Sequence, residues 1–87
     1  MNIKGYELKL TCSACPEQYD VFKDGKQVAY LRLRHGEFRA DVPACGEEIV
    51  YYSEEMQGDG IFDDDERMQF LTDAIDAVDR HYKEEQS

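Results

Sequence analysis

Several things are scarce or absent in this 87-residue chain: it has no tryptophan, two prolines and three cysteines, and half as many basic residues as acidic ones. No apolar run approaches the roughly 18 residues of a membrane-spanning helix, and no apolar leader segment follows Met1. We therefore expect a protein that is neither exported nor membrane-bound, with the cytoplasm as its compartment. An odd number of cysteines without an export signal indicates free thiols or metal ligands rather than a disulfide framework.

What the chain has in excess is acidic charge, and this charge is confined to one half of the sequence. The chain has 10 Lys and Arg against 20 Asp and Glu, for a net charge of −10. Residues 1–46 carry seven basic and six acidic residues, a net charge of +1, whereas residues 47–87 carry three and fourteen, a net charge of −11. Such a charge disfavours direct binding to nucleic acid or to an anionic membrane, so a charged partner is expected to be a basic protein.

The first half of the chain has the pattern of a strand meander. A length of 87 residues supports a single hydrophobic core, which predicts one domain. Tyr6, Leu8 and Leu10 alternate with polar residues, and this predicts a half-buried strand over 3–10. Asp24–Gly25 and His35–Gly36 have the composition of tight hairpin turns. Four more strands are predicted: 18–23, 27–34, 37–42 and 47–53.

The second half changes to a helical period after a glycine-containing acidic loop over 54–62. From Asp63 the apolar residues recur at spacings of three and four, and Asp63 with Glu66 fits a capping box. We predict a helix over 63–84 with one apolar stripe: Met68, Leu71, Ala74 or Ile75, Val78 and Tyr82. The predicted fold is α+β, an antiparallel five-stranded meander sheet over 1–53 with one C-terminal helix packed on its apolar face.

A two-residue turn at His35–Gly36 fixes the register of the hairpin around it. Leu33 then pairs with Phe38, Leu31 with Ala40 and Ala29 with Val42, which gives one buried face. On the other face Arg32 lies opposite Arg39. Two arginines in that position repel each other unless an anion lies between them, so this pair is a candidate anion-binding site. The alternative is that carboxylates of the chain itself pair with these arginines.

Two further patterns suggest metal sites. Cys12 and Cys15 have the C-x-x-C spacing of a zinc knuckle, and Cys45 is a third thiol without an evident fourth ligand, so a small zinc-binding module is one hypothesis and structural thiols are its alternative. Glu55 to Glu66 places Asp59, Gly60 and Glu66 as in a calcium-binding loop, but a predicted strand precedes it where an entering helix is required. An acidic helix cap is the simpler interpretation.

The acidic residues of the second half form a candidate binding surface. Carboxylates held on a rigid strand and helix can imitate the charge spacing of a nucleic-acid backbone and occupy a basic groove on another protein. A purely solubilising role would not require residues 1–46 to stay near neutral. The predicted partner-binding residues are Glu54, Glu55, Asp59, Asp63, Asp64, Asp65, Glu66, Asp73 and Asp76. No arrangement of acid, base and nucleophile predicts an enzyme.

At 30–39 (YLRLRHGEFR) and 58–67 (GDGIFDDDER) the chain resembles small uncharacterised proteins of bacterial phages and mobile elements. The resemblance implies a phage-encoded protein acting in the host cytoplasm, since small acidic phage proteins include nuclease inhibitors, anti-CRISPR proteins and DNA mimics. The leading hypothesis is therefore a non-enzymatic inhibitor that blocks a basic, nucleic-acid-binding surface of a partner protein. The zinc module is the alternative, and the sequence sets no oligomeric state.

Overall fold

The computed structural model describes residues 1–12, 17–44, 46–55 and 62–86, with the backbone alone at 12, 85 and 86. The fold is α+β: one antiparallel sheet, whose strands lie side by side in chain order, and one C-terminal helix. The strands are β1 Asn2–Ile3, β2 Tyr6–Cys12, β3 Glu17–Lys23, β4 Lys26–Arg34, β5 Glu37–Val42 and β6 Glu48–Ser53. The helix α1 is Asp64–Gln86. The class and the meander order are as predicted.

The sheet has six strands, so the prediction of five was wrong. The segment predicted as one strand over 3–10 is divided by a tight turn at Lys4–Gly5, where φ is 54° and 87°. This turn folds Ile3 back to pair with Tyr6 and Asn2 to pair with Glu7. Positive φ at both central residues matches the right-handed twist of the flanking strands, and the predicted turns at Asp24–Gly25 and His35–Gly36 have the same geometry.

Gly5 is required by its backbone conformation alone, because a Cβ atom added there would meet nothing within 4 Å. We expect Gly5→Ala to lower the free energy of unfolding by about 1 kcal/mol, since an L side chain is strained at this positive φ. Gly5→Asn should cost less, because asparagine tolerates the left-handed region. Urea unfolding of both variants measures the difference, and a loss for Gly5→Asn as large as that for Gly5→Ala would contradict the prediction.

The predicted register of the β4–β5 hairpin is confirmed. Leu33 pairs with Phe38 and Leu31 with Ala40, and all four side chains are fully buried. The ladder ends at the pair of Tyr30 and Asp41, one position before the predicted pair of Ala29 and Val42. We call the face of the sheet that these apolar side chains share the inner face, and the opposite one the outer face.

Helix α1 packs on the inner face through an apolar stripe that differs from the predicted one at its beginning. Leu71, Ala74, Ile75 and Val78 are buried as predicted, but Met68 is 51% exposed and the prediction for it was wrong. Arg67, one turn before Leu71, lies over the sheet instead, because it binds a buried carboxylate of β3. The core thus joins the helix to the strands through side chains of β1 to β5 and Phe62.

Candidate functional site

Two segments that carry exposed carboxylates meet at one end of the sheet. Strand β6 ends at Ser53, which pairs with Phe38 of β5. The ring of Phe62, just before α1, lies 4.8 Å from the ring of Phe38, measured between centroids. Residues 54–55 and 63–65 therefore begin from neighbouring points, and their five carboxylates are all exposed. We call this surface the acidic end: Glu54, Glu55, Asp63, Asp64 and Asp65.

A buried carboxylate fixes the start of the helix against the sheet. Glu17 of β3 has a side chain only 6% exposed and accepts hydrogen bonds from Arg67 Nε at 2.9 Å and Arg67 Nη2 at 3.2 Å. The backbone N–H of Phe62 donates to the same carboxylate at 3.0 Å, and the hydroxyl of Tyr19 also donates to it. Arg67 further donates to the carbonyl oxygen of Phe62 at 3.0 Å. The first turn of α1 is therefore tied to β3 by charge-assisted bonds.

The same contacts keep Glu17 ionised. Burial by itself would raise the pKa of this carboxyl, but the hydrogen bonds from Arg67, Tyr19 and the Phe62 N–H outweigh burial and lower the pKa. The phenol of Tyr19 is affected in the opposite direction, since burial and its hydrogen bond to Glu17 raise its pKa. Glu17 is therefore a buried, charged carboxylate that is hydrogen-bonded to Arg67, Tyr19 and the Phe62 N–H. Its role is to hold the start of α1 against the sheet.

The cap of α1 orients the aspartates of the acidic end. Glu66 Oε2 accepts a hydrogen bond from the backbone N–H of Asp63 at 3.0 Å, which is the glutamate half of the predicted capping box. Asp64, whose side chain is 97% exposed, pairs with Arg67 at 2.6 Å. Within the described part of the chain, no cation pairs with Asp63, Asp65 or the two glutamates of this surface. Most of its charge is thus left for solvent or for a partner.

The other predicted acidic residues lie away from this end. Asp73 and Asp76 are half-buried on α1 and lie about 15 Å or more along the helix from Asp63. Asp76 accepts a hydrogen bond from Lys4 in the β1–β2 turn. Asp73 lies near Tyr51, where burial and then the charge of Asp73 raise the pKa of the phenol. Asp59 lies outside the described residues.

Asp79 also bonds within the chain. It accepts from the hydroxyl of Tyr6 at 3.0 Å and pairs with Lys83 at 2.9 Å. The bonds from Lys83 and Tyr6 lower the pKa of Asp79, while burial and the bond to Asp79 raise the pKa of Tyr6 to about 12. The helical aspartates therefore do not extend the acidic end as one continuous row.

The outer face carries a second charged site beside the first. Arg32 and Arg39 lie directly opposite each other, as predicted, and the next residue across the sheet is Tyr52. These side chains line a cleft of about 220 Å³. We call it the arginine cleft, and its lining residues are Arg32, Arg34, His35, Glu37, Arg39 and Tyr52. The hydroxyl of Tyr52 lies within hydrogen-bond distance of Glu37 in the cleft and of Glu54 in the acidic end, so the two sites adjoin.

The predicted metal sites stay predictions. The side chains of Cys12, Cys15 and Cys45 lie outside the described residues, as do 56–61 of the predicted calcium loop. Among the residues that the structure does describe, no three His, Cys, Asp or Glu side chains are grouped as metal ligands. No helix in these same ranges has both the length and the apolar character for crossing a membrane.

Comparison with known proteins does not assign a role to either surface. Models of protein families, curated proteins and solved structures were compared with the chain, and none of them matches. The interpretation of both surfaces therefore rests on their own geometry.

Sequence reasoning missed Glu17 and Arg67, although a signal for both was present. Glu17 occupies the same alternating phase of β3 as the buried Tyr19 and Val21, and Arg67 lies four residues before the buried Leu71. A charged residue in an apolar phase of a strand, together with an opposite charge in the apolar phase of a helix, predicts a buried ion pair.

Proposed function

We propose that the protein is a non-enzymatic binding protein whose acidic end occupies a basic surface of a partner protein. The observation that carries the proposal is that two separate segments, 54–55 and 63–65, present five exposed carboxylates at one end of the molecule. One of the five, Asp64, pairs with a cation within the described part of the chain. A cluster that the fold has not neutralised can attract an oppositely charged surface and steer its approach.

The contacts beneath the acidic end hold the start of α1 in place before any partner binds. Glu17 and Arg67 fix the helix start, and the ring of Phe62 packs against the rings of Phe38 and Phe70. Three of the five carboxylates follow Phe62 directly, so the backbone that carries these three loses little conformational freedom on binding. A rigid array of negative charge is what a surface built for a nucleic-acid backbone accepts.

The resemblance to phage proteins adds a partner class to this proposal. The partner would be a basic, nucleic-acid-binding protein of the bacterial cytoplasm, such as a host nuclease, and the chain would act as an inhibitor of the anti-CRISPR or DNA-mimic type. Direct binding of nucleic acid is disfavoured by the net charge of −10. The sequence also predicts Asp59, Glu66, Asp73 and Asp76 in the binding surface. The proposal centres on the acidic end because Glu66 caps α1, Asp73 and Asp76 lie away from this end, and Asp59 is outside the described residues.

Neutralising the acidic end tests the proposal. The variant replaces each carboxylate by its amide: Glu54→Gln, Glu55→Gln, Asp63→Asn, Asp64→Asn and Asp65→Asn. Asparagine at 63 keeps a residue that caps helices well. Each exposed charge pair contributes roughly 0.2–1 kcal/mol, so losing five weakens binding by at least about fivefold. The dependence of affinity on salt should also flatten.

In the first measurement, a bacterial protein extract from which nucleic acid has been removed is passed over the immobilised chain, and the retained proteins are identified. Each retained protein is then purified, and its affinity for the chain is measured by titration. The control changes the net charge equally at exposed positions outside the acidic end: Glu7→Gln, Asp24→Asn, Glu47→Gln, Glu48→Gln and Glu84→Gln. We expect the control to retain the partner and duplex DNA to release it. If the control and the acidic-end variant lose affinity equally, or if DNA releases nothing, the proposal is wrong.

A further inference from the structure

The arginine cleft places like charges in direct opposition. Arg32 on β4 and Arg39 on β5 occupy one cross-strand pair, whose Cβ atoms are roughly 5 Å apart in such pairs. Like charges at that position destabilise a sheet, and Arg34 and His35 follow at the rim of the same cleft. A second arginine opposite the first therefore calls for an anion that lies between them.

The carboxylates of the chain neutralise only part of this positive charge. Arg39 Nε lies 3.3 Å from Oδ1 of the fully buried Asp41. Both atoms are buried, and no described group gives either of them a well-oriented hydrogen bond. The other oxygen of Asp41 accepts the backbone N–H of Gly46 at 3.0 Å. Asp41 thus offsets the charge of Arg39 without using up the hydrogen-bonding capacity of its guanidinium.

The remaining arginines of the cleft form no ion pair within the described residues, although Glu37, the cross-strand neighbour of Arg34, lines the same cleft. Neither Arg32 nor Arg34 forms an ion pair there, and the carboxylate that lines the cleft, Glu37, accepts a hydrogen bond from Tyr52. Two guanidinium groups therefore face the cleft with their donors available. This is the unusual feature in a chain whose net charge is −10.

From this geometry we infer that the arginine cleft binds a phosphate monoester. A monoester carries close to two negative charges at neutral pH and three acceptor oxygens, which match the two guanidinium groups of Arg32 and Arg34 that form no ion pair within the described residues. A carboxylate would offset one of them. A volume of about 220 Å³ holds a phosphate group with part of its ester substituent, and the ring of Tyr52, 49% exposed, forms a wall on which that substituent can lie.

The test uses inorganic phosphate, phenyl phosphate and acetate as probes, added to the full chain and followed through the arginine Nε–H signals in NMR spectra. We expect saturable shifts of the Arg32 and Arg34 signals with both phosphates, tighter binding of phenyl phosphate, and no saturation with acetate. Arg32→Gln should weaken phosphate binding by about tenfold or more, since it removes a charge-assisted contact. Arg34→Gln should weaken phosphate binding in the same way, and because Arg34 is exposed, its substitution should not affect folding.

Arg80→Gln is the matched control, because Arg80 is an exposed arginine of α1 outside the cleft. It should leave phosphate binding unchanged. Equal losses in the cleft variants and the Arg80 variant, shifts that rise without saturation, or a preference for acetate would overturn the inference. The site is independent of the proposed function, because the acidic-end variant should still bind phosphate while it loses its protein partner.

Discussion

Glu17→Gln is expected to lower the free energy of unfolding by about 3 kcal/mol. Breaking a buried ion pair by removing one partner typically costs 3–5 kcal/mol, because the other charge is left buried and unpaired. The lower end applies here since the Arg67 side chain is 24% exposed and keeps Asp64 as a second partner. The glutamine also keeps the shape of Glu17, so the loss reports charge rather than packing. Urea unfolding at pH 7 measures it.

The pH dependence gives this prediction a second readout. The pKa of Glu17 is lowered in the folded protein, so its contribution to stability is present above the pKa of an unfolded glutamate, about 4.3. It is lost as the pH falls through the lower pKa of the folded state. The gap in stability between the natural chain and Glu17→Gln should therefore narrow below about pH 4.

Asp64→Asn serves as the control for Glu17→Gln, because it removes the exposed partner of Arg67 and leaves the buried one. An exposed pair of this kind contributes at most about 1 kcal/mol. If Asp64→Asn costs as much as Glu17→Gln, or if the gap at Glu17 does not change with pH, the buried pair is not what holds the helix start.

Phe62→Ala is expected to have the largest effect on stability, a loss of about 3–5 kcal/mol. The Phe62 side chain is 3% exposed, and its ring lies 4.8 Å from that of Phe38 and 5.7 Å from that of Phe70, measured between centroids. Truncation leaves a cavity where the helix start meets the sheet. For a domain of this size each 1 kcal/mol shifts the melting temperature by roughly 4–8 °C. Thermal unfolding followed by circular dichroism measures the shift.

Two variants bracket the effect of Phe62→Ala. Phe62→Leu keeps an apolar side chain at the position and should cost distinctly less than alanine. Met68→Ala removes a large apolar side chain that is 51% exposed and should change stability by no more than about 0.5 kcal/mol. A loss at Phe62 as small as that at Met68 would show that the helix start is not anchored by this ring.

The alternation of side chains predicts most of the sheet, and its error in the number of strands is local. A two-residue turn at His35–Gly36 sets which residues pair, and the observed pairs of Leu31 and Leu33 follow from it. Lys4–Gly5 forms the same kind of turn, but it directly follows a strand of two residues, which is too short to show any period. A strand of two residues is defined by its pairing with β2, so no periodic pattern can reveal it.

The two charged surfaces differ in how far sequence determines them. Arg32 lies opposite Arg39 because of the register of one hairpin, and the local sequence pattern is enough to predict that register. The acidic end instead depends on the ring contact between Phe38 and Phe62 and on the pairing of Glu17 with Arg67. These contacts join residues far apart in the chain, and composition alone does not tell which carboxylates of the second half they bring together and which they separate.

Tyr52 lies at the border between the arginine cleft and the acidic end, where the surface charge changes sign. Because its hydroxyl reaches Glu37 on one side and Glu54 on the other, a positive site and a negative site share a border a few side chains wide. A partner that is uniformly basic would be attracted by the acidic end and repelled at Arg32 and Arg34. For the proposed function, this border favours a partner whose own charges change sign at the same place, because opposite charges then meet in one orientation.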